Sequence, residues 1–137
     1  MAAMEDLNLL AIVVAAVASF LLGGLWYSPA LFGKVWMKEA GYDESQQGHP
    51  GKVFGFALLF SLVAAWALAR VATDWFGADF SLHQALHVAL MGSVGFVAAS
   101  FGVNYQFAQH SFKLWAIDAG YHIGQFMLFA VVLGLWK

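Results

Sequence analysis

The chain contains no cysteine and has few charged residues of either sign. Its 137 residues include six lysines and arginines together and eight aspartates and glutamates. The lack of cysteine excludes disulfide bonds, thiolate metal sites and disulfide-based redox chemistry. The formal net charge of −2, with no basic run, provides none of the electrostatic footprint that is typical of nucleic-acid binding. The sequence therefore argues against nucleic acid as a partner and against thiol chemistry.

Apolar residues dominate instead. They make up 62% of the chain, and charged residues only 10%, whereas soluble domains average about 25% charged. Four apolar stretches of roughly 20 residues each match a bilayer core of about 30 Å, because a helix rises about 1.5 Å per residue. These predicted spans are Leu7–Tyr27, Val53–Ala72, Ala85–Tyr105 and Leu114–Trp136. Since backbone groups in lipid must pair internally, we predict an all-α integral membrane four-helix bundle, with residues 1–137 as a single membrane domain.

The connector after the first span, Ser28–Lys52, is the only long one. Within it, Leu31, Val35 and Lys38 recur at helical spacing beside aromatic residues. This pattern predicts a short helix lying in the membrane interface.

Charges in the connectors predict the orientation in the bilayer. The first and third connectors carry four lysines, Lys34, Lys38, Lys52 and Lys113, against Arg70 and Lys137 on the other side. By the positive-inside rule, these two connectors are cytoplasmic and both termini face outward. The acidic residues Glu5 and Asp6 stand where a signal peptide would carry lysine or arginine, so we expect an uncleaved first span.

The two halves of the chain, 1–72 and 80–137, resemble each other. Four residues of the first half match four of the second with one residue of slip: Gly24, Tyr27, Lys34 and Trp36 with Gly102, Tyr105, Lys113 and Trp115. One explanation is a parallel duplication of a two-helix unit, related by an axis along the membrane normal. The alternative is chance similarity between apolar helices.

Polar residues on the fourth span form the main candidate site. Asp118, His122 and Gln125 fall at i, i+4 and i+7 and share one helix face. An ionisable group inside a span usually faces the bundle interior or water. Three more polar side chains end their spans near the same surface: Asn104, Tyr105 and Tyr27. We predict a protein that binds or conducts a small solute, an ion or protons, with Asp118 as acceptor and His122 as its titratable partner.

The alternative is structural. Asp118 would then pair with His122 and hold helices together, and the chain would be a non-catalytic accessory or scaffold subunit of a larger membrane complex. A water-accessible cavity reaching Asp118 favours binding, and a dry, fully paired Asp118 with a broad apolar groove favours the scaffold. The sequence has no nucleophile elbow, phosphate loop or paired catalytic carboxylates, so it supports neither an enzyme class nor a cofactor.

Two further patterns each have two interpretations. His83 and His87, at i and i+4, suit one metal ion, or they are interface histidines without a ligand. A column of small residues, Ala11, Ala15, Ser19 and Gly23, lets another helix approach closely. That helix belongs either to the same chain or to another copy in a homo-oligomer.

Two segments resemble the signatures of one family. Gly24-Leu25-Trp26-Tyr27-Ser28-Pro29-Ala30-Leu31-Phe32-Gly33-Lys34-Val35-Trp36 is similar to the N-terminal signature of the bacterial membrane-protein family called domain of unknown function 1761. Val103-Asn104-Tyr105, followed by Ser111-Phe112-Lys113-Leu114-Trp115-Ala116-Ile117-Asp118-Ala119-Gly120-Tyr121-His122, is similar to its C-terminal signature. The resemblance implies a small multi-pass protein of the bacterial inner (cytoplasmic) membrane, and it implies no activity.

Overall fold

The computed structural model describes residues 7–43, 45 and 48–136, and within them the chain is helical without a strand. In chain order the elements are α1 (Leu9–Trp26), α2 (Gly33–Ala40), α3 (Pro50–Phe76), α4 (Leu82–Leu90), a π-helical segment (Met91–Ala98), α5 (Ala99–Phe107) and α6 (Phe112–Leu135). The α4 helix, the π segment and α5 are continuous over Leu82–Phe107, so four helices are long and apolar enough to cross a membrane. The predicted all-α class and the number of apolar helices are confirmed.

The second long helix extends beyond both predicted ends. We expected Val53–Ala72, and α3 covers Pro50–Phe76. Proline fits the first turn of a helix because N–H groups there have no acceptor within the helix, so the lack of an N–H costs no hydrogen bond. At the other end, Arg70 and Asp74 form an i,i+4 ion pair of 3.2 Å, which suits a helix interior. Polar residues therefore lie within the helix instead of ending it.

Helix packing centres on α6, which lies between α1 and α4, while α3 packs mainly on α1. The contacts are close because the buried residues are mostly small. A Cβ atom added at Gly134 of α6 would lie 2.9 Å from the Cα of Leu82, so glycine allows the start of α4 to touch α6. In the predicted small-residue column, Ala11, Ala15 and Ser19 are fully buried. These three residues therefore serve packing within the chain.

The two ends of this helix assembly differ. The buried apolar core occupies the first half of α1, the second half of α3, α4 and the second half of α6, with Phe129 fully buried. We call this the closed end. At the opposite end, which we call the site end, the first turns of α3 are exposed, from Pro50 to Ala57. The polar groups of α6 lie in its half nearer the site end.

Candidate functional site

The carboxyl group of Asp118 joins the ends of three helices. Its Oδ1 accepts a hydrogen bond from the Tyr27 hydroxyl at 2.7 Å, and its Oδ2 accepts one from the Tyr105 hydroxyl at 2.5 Å. Tyr27 follows the last residue of α1, Tyr105 lies in α5, and Asp118 lies in the second turn of α6. Three of the six predicted binding residues are thus brought together.

Two indole groups flank this carboxyl group and fix the neighbouring helices. Trp26 Nε1 donates to the carbonyl oxygen of Ile117 at 2.9 Å, which ties α1 to α6. Trp115 Nε1 donates to the carbonyl oxygen of Ala98 at 2.8 Å, which ties α6 to the last residue of the π segment. Each indole N–H thus donates to a backbone carbonyl oxygen of a neighbouring helix. These two bonds help to hold Tyr27, at the end of α1, and Tyr105, in α5, next to Asp118.

A tight turn at Ser28 brings the start of α2 against the backbone of Tyr27. The N–H groups of Leu31 and Gly33 both donate to the carbonyl oxygen of Ser28, at 3.0 and 2.9 Å. A Cβ atom on Gly33 would lie 2.3 Å from the carbonyl oxygen of Tyr27, a distance that no side chain tolerates. Glycine is therefore required where the chain turns back, and the predicted short helix begins at Gly33 instead of Leu31.

From this position α2 covers the site. The Trp36 ring packs edge-on against the Tyr27 ring, with a centroid distance of 5.9 Å. It also contacts the tilted Tyr42 ring, at a centroid distance of 5.3 Å. The far end of α2 is attached to α6 because the Ser111 hydroxyl donates to Glu39 Oε1 at 2.5 Å. Ser111 also caps α6 by accepting the N–H of Leu114 at 3.0 Å.

A cavity of about 350 Å³ lies between α2, α5 and the start of α6 and reaches Asp118. Its lining consists of Trp36, Ala40, Gly41, Tyr42, Tyr105, His110, Leu114 and Asp118. Trp36, Tyr42 and His110 were not among the predicted site residues. The sequence signal for Trp36 and Tyr42 was their aromatic character in the connector next to the interfacial helix, and for His110 it was its position in the turn before α6.

The predicted pairing of Asp118 with His122 is wrong. The His122 ring turns away from Asp118 and packs edge-on against Phe101 at 5.2 Å. Its Nδ1 lies 2.9 Å from Gln125 Oε1, and because an amide oxygen only accepts, Nδ1 carries the proton. Tyr27 and Tyr105 donate to the two Asp118 oxygens, whereas Gln125 on the same helix as His122 bonds the histidine ring instead.

Gln125 forms a second polar layer, deeper among the helices. Its Nε2 donates to Ser19 Oγ at 3.4 Å and to Ser61 Oγ at 3.3 Å. Gln125 and both serines are buried. This layer connects α6 to α1 and α3, and it lies one turn beyond His122 toward the closed end.

The other predicted residues stand apart from Asp118. Asn104 is exposed on α5 and does not line the cavity. His83 is exposed on α4, and His87 borders an apolar groove toward the closed end. Across the described residues no group of three or more histidine, cysteine, aspartate or glutamate side chains could hold a metal ion. The metal site at His83 and His87 stays a prediction from spacing.

Four apolar helices of membrane-crossing length, with a polar site near one end, are compatible with the class of multi-pass membrane proteins. Residues 10–134 match the model of the family described as protein of unknown function, DUF1761. The chain belongs to this family, as the two sequence signatures predicted. No curated protein and no solved structure matches it.

Proposed function

We propose that the chain is a membrane protein that binds a small water-soluble solute in the cavity above Asp118. The observation that carries this proposal is the cavity of about 350 Å³ itself, which reaches a carboxyl group held between two tyrosines. Ligand pockets typically combine apolar walls with a few positioned polar groups, and this cavity has that composition. Buried alanines and Phe129 fill the closed end, which favours a site that is open on one side over a continuous pore.

The roles of the site residues would differ with their distance from the cavity. Asp118 would accept a hydrogen bond or a proton from the solute, and Tyr27 and Tyr105 would hold its carboxyl group in place. His122 and Gln125, one and two turns deeper, would form a polar layer that stabilises the helices and borders the site. Binding of the solute needs only the cavity, whereas transport would also require the closed end to open.

The test measures access to the cavity and its protection by solutes. The chain has no cysteine, so Leu114→Cys places a single thiol in the cavity lining, and Ala130→Cys is a matched control. Leu114 is 3% exposed and Ala130 0%, both on α6, and Ala130 lies in the closed core. We expect methyl methanethiosulfonate, a small neutral reagent, to modify Leu114→Cys at least about tenfold faster than Ala130→Cys, a difference that corresponds to about 1.4 kcal/mol.

A panel of small cations, anions and neutral polar solutes is then added to the purified protein in lipid nanodiscs, with modification followed by intact mass. The proposal expects one chemical class to slow modification of Leu114→Cys. Equal slow modification of both thiols, or no protection by any class, would refute it.

An accessory role in a larger membrane complex is the second candidate, and one observation favours it. An apolar groove of about 520 Å³ runs between α3 and the α4–π region, bordered by Val71, Trp75, Met91 and Phe96 among others. If a partner helix fills this groove, the chain solubilised mildly from its native membrane migrates at a larger mass than the chain produced alone. Ala67→Trp, which fills the groove, would abolish the difference, whereas Val63→Trp on the same helix outside the groove would not.

For the architecture, we propose that the four long helices form one four-helix bundle built by parallel duplication. Tyr27 and Tyr105, which match between the halves, donate to the two oxygens of one carboxyl group, and this supports the proposal. A homo-oligomer would use outer helix faces, since the α1 small-residue column is buried within the chain.

Topology in the bacterial inner membrane is testable with single cysteines at Ser45, Gly77 and His110. With the termini outward, an impermeant thiol reagent added outside intact cells labels Gly77→Cys and spares the other two. The opposite pattern would reverse the proposed orientation.

A further inference from the structure

Aromatic rings form half of the cavity lining. Trp36 and Tyr42 lie on one side and contact each other at a centroid distance of 5.3 Å. Tyr105 and His110 lie together at 5.1 Å, and all four residues border the same cavity. Two aromatic pairs from different parts of the chain thus meet around one space.

The lining of this cavity is acidic in composition. Of the described residues that line it, Asp118 is the only aspartate or glutamate, and none is lysine or arginine. A carboxyl group offers about four lone-pair positions, and the two tyrosines occupy two of them. Glu39 precedes the lining residue Ala40 in sequence, but it does not line the cavity, and its carboxyl group accepts a hydrogen bond from Ser111. The lysines of α2, Lys34 and Lys38, are exposed and do not line the cavity.

We propose that the solute is a small organic ammonium cation, bound by the aromatic walls and the Asp118 carboxyl group. This inference rests on the proposed binding function and specifies its ligand. Aromatic faces attract alkylammonium groups through their negative quadrupole, and aromatic cages are a known way to bind them. A hard metal cation needs a shell of six or more oxygen ligands, whereas this lining offers mainly rings.

The experiment uses tetramethylammonium chloride as the probe, with Leu114→Cys as the reporter. We expect tetramethylammonium to slow modification by methyl methanethiosulfonate, with half-protection on the order of millimolar, as for a very small ligand. Sodium chloride at equal ionic strength controls for screening, and tert-butanol controls for a neutral molecule of similar shape. Neither control should protect at the same concentration.

Three variants in the reporter background locate the interaction, and a fourth, Gly24→Ala, is the control. Trp36→Leu and Tyr42→Leu keep the carboxyl group and remove one wall each, and we expect each to weaken tetramethylammonium protection at least about threefold, as for a cation–π contact of moderate strength. Asp118→Asn should abolish protection. Gly24→Ala, at a helix position with open space around it, should leave protection unchanged. As a second readout without cysteine, tetramethylammonium should raise the melting temperature of the unmodified chain more than that of Trp36→Leu, because a ligand that binds more weakly stabilises less at the same concentration.

Failure of this inference is distinguishable from failure of the proposed function. If Leu114→Cys reacts rapidly and a neutral or anionic solute protects it while tetramethylammonium does not, the binding function stands and the cation inference is wrong. Equal protection by tert-butanol and tetramethylammonium would also overturn it. If Leu114→Cys reacts as slowly as Ala130→Cys, or if no solute of any class protects it, both proposals fall.

Discussion

At the scale of single residues, the hydrogen bonds of Asp118 predict which substitutions are energetically coupled. Its two oxygens are bonded to Tyr27 and Tyr105, while His122 is bonded to Gln125. Residues that share a hydrogen bond show energetic coupling in double-mutant cycles, and residues without a shared partner are close to additive. Asp118 should therefore couple to tyrosines far away in sequence and not to the histidine one turn along its own helix.

We predict a coupling energy of about 1–2 kcal/mol between Asp118→Asn and Tyr27→Phe, in the range of a buried hydrogen bond. The pair Asp118→Asn and His122→Ala should be additive within about 0.5 kcal/mol. Unfolding of each variant in mild detergent by a denaturing detergent provides the free energies. Strong coupling to His122 with none to Tyr27 would contradict the hydrogen bonds described above.

Gly33 provides a second prediction at the same scale. Gly33→Ala forces a Cβ atom to within 2.3 Å of the Tyr27 carbonyl oxygen, so the turn must open and Tyr27 must move. We expect a loss of stability of about 1–3 kcal/mol, as for overpacking elsewhere. Gly24→Ala is the control, because nothing lies within 4 Å of its added Cβ, and it should stabilise α1 by about 0.5–1 kcal/mol. Similar effects of the two substitutions on the melting temperature would contradict the close contact between Gly33 and the Tyr27 carbonyl group.

At the scale of elements, α2 is attached to the long helices by few contacts. One end is held by the Ser28 turn, the middle by Trp36 against Tyr27, and the far end by Glu39 accepting from Ser111. Because α2 forms one side of the cavity, we expect its attachment to affect how easily a reagent reaches the lining. The Glu39 contact is the most easily removed without touching the lining.

Glu39→Ala should therefore loosen α2 and leave α6 folded. We expect faster amide hydrogen exchange in α2 and an increase of about threefold in modification of Leu114→Cys, a change worth about 0.7 kcal/mol. Ser81→Ala is the control, because it removes one side-chain hydrogen bond at the closed end, the one that Ser81 Oγ accepts from the N–H of Gln84 at 3.1 Å, without touching α2. An unchanged exchange rate in α2 after Glu39→Ala would show that other contacts hold this helix.

At the scale of the whole molecule, the sequence predicted the long helices but not what joins them. Apolar length is a local property, so the four spans could be found by inspection, and the capping residue Ser111 could be recognised by type. The depth of Tyr27, Tyr105 and Asp118 in their spans predicted that all three lie near one surface. The hydrogen bond from Tyr27 to Asp118 itself crosses 91 positions, and no periodicity within one helix predicts that Asp118 bonds the tyrosines instead of His122. The π segment was also missed, because its composition is that of an ordinary apolar helix.

The polar layer at Gln125 allows a test of how the whole assembly is held together. Ser61 Oγ also donates to the Ala57 carbonyl oxygen at 2.9 Å on its own helix, so it keeps a partner when Gln125 is removed. Interhelical hydrogen bonds in membrane proteins average about 0.6 kcal/mol. We therefore expect Ser61→Ala to lower the free energy of unfolding by roughly that amount. Gln125→Leu removes three hydrogen bonds, to His122, Ser19 and Ser61, and should cost about three times as much, about 2 kcal/mol, with no change in the number of long helices. A loss of several kcal/mol from Ser61→Ala would make this layer a main determinant of the fold.

The π segment has a consequence for changes in chain length. A one-residue deletion in an ordinary α-helix rotates everything beyond it by about 100°, because there are 3.6 residues per turn. Each π-type hydrogen bond spans one residue more than an α-type bond, so the segment Met91–Ala98 can lose one residue by rewinding as α-helix. Deleting Gly95, which has open space around it, should leave Ala89 and Tyr105 on their present faces, whereas deleting Leu86 in α4 should turn the start of the helix away from α6. Insertions and deletions among relatives would accordingly gather in this one stretch of the third long helix.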